Sequence, residues 1–303
     1  MDGFRIPLGQ WIEAVVDVLG DTLGWLFDAI ANVLGVVYES LEWLLQTPPF
    51  WVIIALLAAL AWWAKGGKLA VGTALGLLVI VGVDQWDAAM DTLALVLVAS
   101  AIAIAISIPV GIWAARDDRV SRVVRPVLDF LQTMPAFVYL IPAIIFFGVG
   151  AVPGMIATIL FALAPGVRLT ELGIRGVDAE VVEAGHAFGA TPGRILRQIQ
   201  LPLALPSIMA GVNQVIMLSL SMVVIAGMVG AGGLGGEIVR AIGRINVGLG
   251  FEAGISVVIL AMMLDRITSA LGRDGHARRV SKARTARDAQ DAAGAVSRIP
   301  TAA

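Results

Sequence analysis

Ionisable and nucleophilic side chains are where any chemistry would start, and this sequence offers few in useful places. It has no cysteine, which removes disulfides, thiolate metal sites and a cysteine nucleophile. Its two histidines, His186 and His276, stand far apart, so a histidine-rich metal centre is not expected. The phosphate-cradling pattern G-x-x-x-x-G-K-[ST] is absent. At Gly67-Lys68 the next residue is Leu69, without the hydroxyl that would hold magnesium. Gly230-Ala-Gly232-Gly233-Leu-Gly235 matches the letters of the dinucleotide fingerprint, but it follows the long apolar run Leu203–Val229 instead of a short strand. Gly230, Gly232, Gly233 and Gly235 are expected to allow tight turns at an outer mouth where helices approach closely. No catalytic residue, resident cofactor or metal is expected.

The elements that would position such residues belong to a membrane. Of 303 residues, 58% are hydrophobic and 15% charged, against about 45–50% and about 25% for soluble domains. A net charge of -2 leaves no basic field for nucleic acid. No secretory signal peptide opens the chain, so insertion is expected through its own spans. Within an N-terminal segment, 1–47, residues 9–46 are periodic: Trp11, Val15, Val18 and further apolar residues to Leu44 recur at helical steps, with Asp17, Asp21, Asp28, Glu39 and Glu42 on the other side. They predict an extracytoplasmic amphipathic surface helix, or a pair broken near Gly20–Gly24 or Gly35, ended by Pro48-Pro49. A helix lying on lipid or against the spans competes there with a docking face for a partner.

From residue 48 to 270 the apolar runs Phe50–Ala64, Leu69–Val83, Thr92–Ala115, Val127–Phe147, Ala151–Val167, Leu203–Val229 and Phe251–Ile267 predict about seven transmembrane helices. The first two are short of the roughly 20 residues a span needs. With this count, every Lys and Arg except Arg5, Arg240 and Arg244 falls on one side, which the positive-inside bias makes cytoplasmic. The N-terminus is then outside and the C-terminus inside. Residues 271–303 read as a disordered basic cytoplasmic tail. Trp43, Trp51, Trp62, Trp63, Trp86 and Trp113 sit near run ends, as an interfacial belt would place them. Asp84, Asp87, Asp91, Asp129, Glu171 and Asp265 read as lying at ends or in connections, so the spans lack the buried relay of an ion-coupled carrier.

The connection 168–202 is too patterned for a linker. Val177–Phe188 has helical character, Thr191-Pro192 forms a helix start, Ile195 and Ile199 lie four apart opposite Arg194 and Arg197, and Leu201-Pro202 is expected to end the second helix. A helix–turn–helix of this kind has the shape to fill a partner's groove, though an interfacial membrane helix fits the pattern equally. Glu183-Ala184-Gly185, three residues, Gly189, nine residues, then Ile199-x-Leu201-Pro202 resembles the EAA loop of binding-protein-dependent ABC importer permeases, with Gly185 where a second alanine is usual. Gln132-Thr133-Met-Pro135 through Pro142, and Ser219-Leu-Ser221 running into Gly230–Gly235, resemble the glycine betaine/L-proline branch.

The resemblance implies an all-α polytopic protein with the type I ABC importer permease fold. It also implies a pair of permease chains, a homodimer with a heterodimer as the alternative, two separate ATPases carrying ATP and magnesium, and an extracytoplasmic binding protein. Gly185–Ile195 would be the coupling element, with Glu183 and Arg194 as polar contacts to the ATPase. For the pathway, the polar or flexible positions Gln132, Thr133, Pro135, Asn213, Gln214, Ser219 and Ser221 compete with a plain role in helix–helix hydrogen bonding. His186, three residues after Glu183, reads as a passive surface histidine in preference to a pH sensor. A self-contained carrier for a small zwitterion and a non-transporting scaffold are the alternatives. The orientation has a direct check: Asp17→Cys should label from outside intact cells, and Arg284→Cys only after permeabilisation; the opposite pattern would reverse the topology.

Overall fold

The computed structural model describes residues 7–270, and every regular element in it is helical. The expected tail, 271–303, lies outside the described residues. Helix α1, Leu8–Gln46, is a single unbroken helix, not a pair. Glycine costs a helix only about 1 kcal/mol relative to alanine, and the spaces beside Gly20, Gly24 and Gly35 are empty, so nothing interrupts it before Pro48-Pro49. At 3.6 residues per turn its carboxylates, Glu13, Asp17, Asp21, Asp28, Glu39 and Glu42, fall within about 80° of arc. Leu34 and Tyr38 are buried, whereas Trp25, Val33 and Trp43 are exposed.

Helix α1 crosses one end of the bundle. Phe27 packs on Phe146 and Phe147, with ring centroids 4.4 and 5.6 Å away, and the Gln46 amide donates to Asp91. The axis then turns by 103° into α2, Phe50–Lys65. Helix α2 pairs with α3, Gly67–Gly82. Each has 16 residues, about 24 Å of helix, against about 30 Å of hydrocarbon.

The core is the bundle of α4, Trp86–Arg116, α7, Ala151–Arg175, and α10, Leu201–Ala226. Small residues let these axes close up: a Cβ on Gly166 of α7 would lie 2.4 Å from Ser107 Oγ of α4 and 3.0 Å from Val215 of α10. Between α4 and α7 the chain makes α5, Asp118–Thr133, and α6, Ala136–Phe147, set at 100° to each other. The sequence reading took Val127–Phe147 as one span. The break falls at Met134, extended at φ -69°, ψ 133°, as expected of a residue before proline. Pro135 has no N–H for the Leu131 carbonyl, and the Tyr139 hydroxyl donates to that carbonyl instead.

After α10 come a 3₁₀ turn, Gly227–Val229, then α11, Gly233–Gly243, and α12, Val247–Ala270. By length and composition, four helices suffice to cross a membrane: α4, α7, the continuous stretch Pro192–Val229 and α12. The number rises to six if each bent pair, α1–α2 and α5–α6, counts as one span. That is fewer than the expected seven, because α2 and α3 are both short and the α5–α6 run is broken.

Two backbones touch where α10 ends. A Cβ on Gly227 would lie 2.2 Å from the carbonyl carbon of Gly235, and backbone cannot move aside as a side-chain tip can. Gly227→Ala should therefore lower stability by about 1–3 kcal/mol, the usual cost of overpacking. Thermal unfolding in detergent should show it, while Gly254→Ala, with open space around it, should leave the melting temperature unchanged.

Candidate functional site

Helix α7 ends at Arg175, and only Gly176–Asp178 separate it from a short hairpin. Asp178 caps α8, Ala179–Ala187, its carboxylate accepting the Glu180 N–H at 3.0 Å. The far end closes in a Schellman turn. Gly189 adopts φ +75°, its N–H donating to His186 O at 2.8 Å, and the Ala190 N–H donates to Gly185 O at 3.1 Å. The left-handed conformation requires a glycine here. Helix α9, Pro192–Ile195, then starts with Thr191 in the extended N-cap conformation and Pro192 in the first turn. The Thr191 side chain makes no capping bond.

Helix α9 does not stop at Leu201-Pro202, contrary to the sequence reading. It passes through a π turn, Leu196–Gln200, directly into α10. In an α register, Pro202 would leave the Gln198 carbonyl unpaired and crowd it. The wider turn, in which the Leu201 N–H reaches Leu196 O, absorbs the proline without breaking the helix. The second arm of the hairpin is thus the rigid extension of a core helix.

The two arms lock through Gly185. It is buried, and a Cβ there would come within 2.8 Å of Ile199 Cδ1 and 3.4 Å of Ile195 Cγ1. Ile195 is buried and Ile199 half-buried, while Glu183, Ala184, His186, Gly189, Arg194 and Arg197 are exposed. Leu201 and Pro202 are half-buried where the hairpin rejoins the bundle. At the tip, Phe188 is 92% exposed, and Val181 on α8 is exposed as well.

The base of the hairpin is anchored by Glu171. Read from the sequence as part of a connection, it lies inside α7, because that helix runs two turns past its apolar stretch. It is 3% exposed. Its Oε1 accepts from Ser121 Oγ at 2.7 Å and Arg125 Nη2 at 2.8 Å, both on α5, and pairs with Arg175 Nε at 3.0 Å. Arg175 in turn donates to the Ala114 carbonyl of α4 at 2.8 Å and pairs with Asp118 at 2.7 Å. Arg168 pairs with Asp129. These groups wall an open cavity of about 310 Å³.

At the opposite end, Gly230, Gly232 and Gly233 all have positive φ, and Gly235 lies against the backbone of Val223 and Val224. Thr92 Oγ1, buried on α4, accepts the Leu234 N–H at 2.8 Å and donates to Ala88 O at 2.9 Å. The Gly150 N–H donates to Val229 O at 3.0 Å. The glycine turn is therefore clasped onto the ends of α4 and α7.

Residues 107–276 match the family model of the binding-protein-dependent transport system inner membrane component. The chain belongs to this family. It is 48% identical over 272 residues to the glycine betaine/carnitine transport permease protein GbuB of Listeria monocytogenes, covering 88% of this chain and 96% of that one. It is 46% identical over 273 residues to the glycine betaine/proline betaine transport system permease protein ProW of Escherichia coli, covering 90% and 77%. An inward-facing structure of the MetNI methionine ABC transporter superposes with a TM-score of 0.57 at 23% identity, over 62% of this chain and 94% of that one. The fold is the all-helical type I importer permease fold anticipated from the sequence.

Within this permease, the polar positions singled out for the pathway fall into separate groups. Gln132 and Thr133 are exposed at the end of α5, next to the exposed Pro135 at the break. Gln214 and Ser221 are exposed on α10, in one stripe with Leu203, Met217 and Met228. Asn213 is already engaged, donating to Asp265 at 3.0 Å and accepting from Thr268 Oγ1 at 2.7 Å on α12. Ser219 is fully buried, its hydroxyl without a partner in the structure. Sequence reading missed Phe188 and Glu171. A large apolar residue beside a helix-ending glycine was the available signal for the first; the only local signal for the second was Arg175, four residues on, while its α5 partners lie 46 and 50 residues away.

Proposed function

We propose that this inner-membrane permease subunit serves an ATP-driven importer of glycine betaine and related compatible solutes, with the α8–α9 hairpin as its contact to a separate ATPase. The observation that carries this reading is the hairpin itself. It is stiffened by the Gly185–Ile199 contact, joined without a break to α10, and tipped by an exposed Phe188. An exposed aromatic on a rigid support is the kind of anchor that fills a partner's pocket. The solute class is supported by the names of the relatives at 46–48% identity. The chain then performs no covalent chemistry, and ATP and magnesium belong to the ATPase.

The hairpin end is taken as cytoplasmic, because Arg116, Arg119, Arg122, Arg125, Arg168, Arg175, Arg194 and Arg197 gather there. Helix α1 then lies across the outer face as an amphipathic helix, its apolar sector toward lipid. A second permease copy covers the exposed stripe of α10, which places Gln214 and Ser221, with Gln132 and Thr133 of α5, along a pathway between the copies. An extracytoplasmic binding protein delivers the solute to the outer end, near the Gly230–Gly235 turn. Affinity residing in that protein is consistent with the weakly polar lining.

Affinity purification of the C-terminally tagged chain from its native membrane in mild detergent should recover a stoichiometric ATPase. Gly189→Val, a β-branched residue forced to φ +75°, should cost about 1–3 kcal/mol locally and lose most of that ATPase while inserting normally. Normal ATP-driven uptake by this variant would remove the coupling assignment. Uptake by the chain alone, without ATP, would make it a carrier.

A further inference from the structure

We propose that Glu171 is the positioning residue through which movement of the hairpin reaches α5, and so the α5–α6 break. The inference rests on the reading of the hairpin as the ATPase contact. Helices α4 and α5 are joined by Asp117 alone, extended at φ -132°, ψ 114°, whose N–H donates to Trp113 O at 3.1 Å and whose carboxylate accepts the Arg119 N–H at 2.8 Å. The buried Glu171 carboxylate braces this elbow from α7. Ser121 and Arg125 hold α5 to α7 through the same oxygen, Oε1. Arg175, one turn on, ties that oxygen to the end of α4 through the Ala114 carbonyl and to the start of α5 through Asp118.

Three helix ends therefore share one ionic joint, and only three residues separate its last member, Arg175, from α8. A push on the hairpin displaces the end of α7, and the joint passes that displacement to α5. Helix α5 carries Gln132 and Thr133 at its far end, directly before the 100° turn at Pro135. The open cavity beside the joint, about 310 Å³, leaves space in which α5 can swing. The geometry thus links two places the sequence treats as unrelated, the hairpin and the broken span.

The test uses the complete transporter, with ATPase and binding protein, in liposomes, measuring ATP hydrolysis and radiolabelled glycine betaine uptake together. Glu171→Gln keeps the side-chain shape and removes the charge that holds both arginines. It should retain ATPase binding and hydrolysis but lower uptake per ATP by about fivefold or more, within the range of couplings carried by single residues. Arg125→Gln, at a side chain 58% exposed, should lower the ratio in the same direction. Arg125→Lys should restore it, and the Glu171→Gln/Arg125→Gln double variant should be no worse than Glu171→Gln alone. Thr268→Val, which removes an α10–α12 hydrogen bond elsewhere in the bundle, should leave the ratio unchanged. Unchanged uptake per ATP in Glu171→Gln and Arg125→Gln would overturn the joint, as would an equal fall in Thr268→Val. ATPase binding untouched by Gly189→Val would overturn the hairpin reading instead.

Discussion

Helices in hydrocarbon gain nothing by hiding apolar surface from lipid, so they hold together by close packing and internal hydrogen bonds. In this permease that constraint falls on the contact among α4, α7 and α10. Gly166 and Gly211 let α7 and α10 approach until backbone and Cβ atoms touch, and Ser107 fills the third side. The rest of the molecule is arranged on those three helices. The paired α2 and α3 and the surface-crossing α1 attach near the end where α4 begins, and the hairpin projects from the end where α7 stops and α10 starts.

The two ends of this core solve the same problem with different means. At the glycine turn, backbone packs on backbone: Gly227 meets Gly235, and Thr92 satisfies the Leu234 N–H. A buried polar group left unpaired there would cost roughly 1–3 kcal/mol, and the threonine supplies the acceptor without bringing in charge. At the hairpin end, charge does the joining. Glu171 is almost wholly buried, yet it receives a hydroxyl and two guanidinium groups. Breaking one side of such a set leaves a charge uncompensated in a low dielectric. The glycine end is built to fit, and the ionic end is built to hold an angle.

Prolines stand at three of the places where regular helix changes, and the three cases differ. Pro48-Pro49 follows the end of α1 and allows the 103° turn into α2. Pro135 separates α5 from α6, and the carbonyl it orphans is taken by Tyr139. Pro202 breaks nothing, because a π turn opens one residue ahead of it. Only the last outcome joins the hairpin rigidly to the core, so the local form of the backbone around one proline decides whether the hairpin is a flap or a lever.

Much was determined by the sequence alone. Apolar runs fixed the membrane class because about 30 Å of hydrocarbon demands them. The spacing from Glu183 to Pro202 indicated the hairpin and its family, because a left-handed cap needs glycine and a helix start tolerates proline. Tertiary structure decided the rest. Hydropathy has no term for direction, so Val127–Phe147 reads as one span although it turns by 100° within itself. Helix propensity has no term for what lies beside a residue. It treats Gly185 as a mild weakness, whereas the fold leaves no room for a Cβ against Ile199. Glu171 was legible only as a charge near the end of an apolar run. Its partner Arg175 is four residues on, but Ser121 and Arg125 are distant in sequence, and only the packing of α5 on α7 brings them to the same oxygen atom.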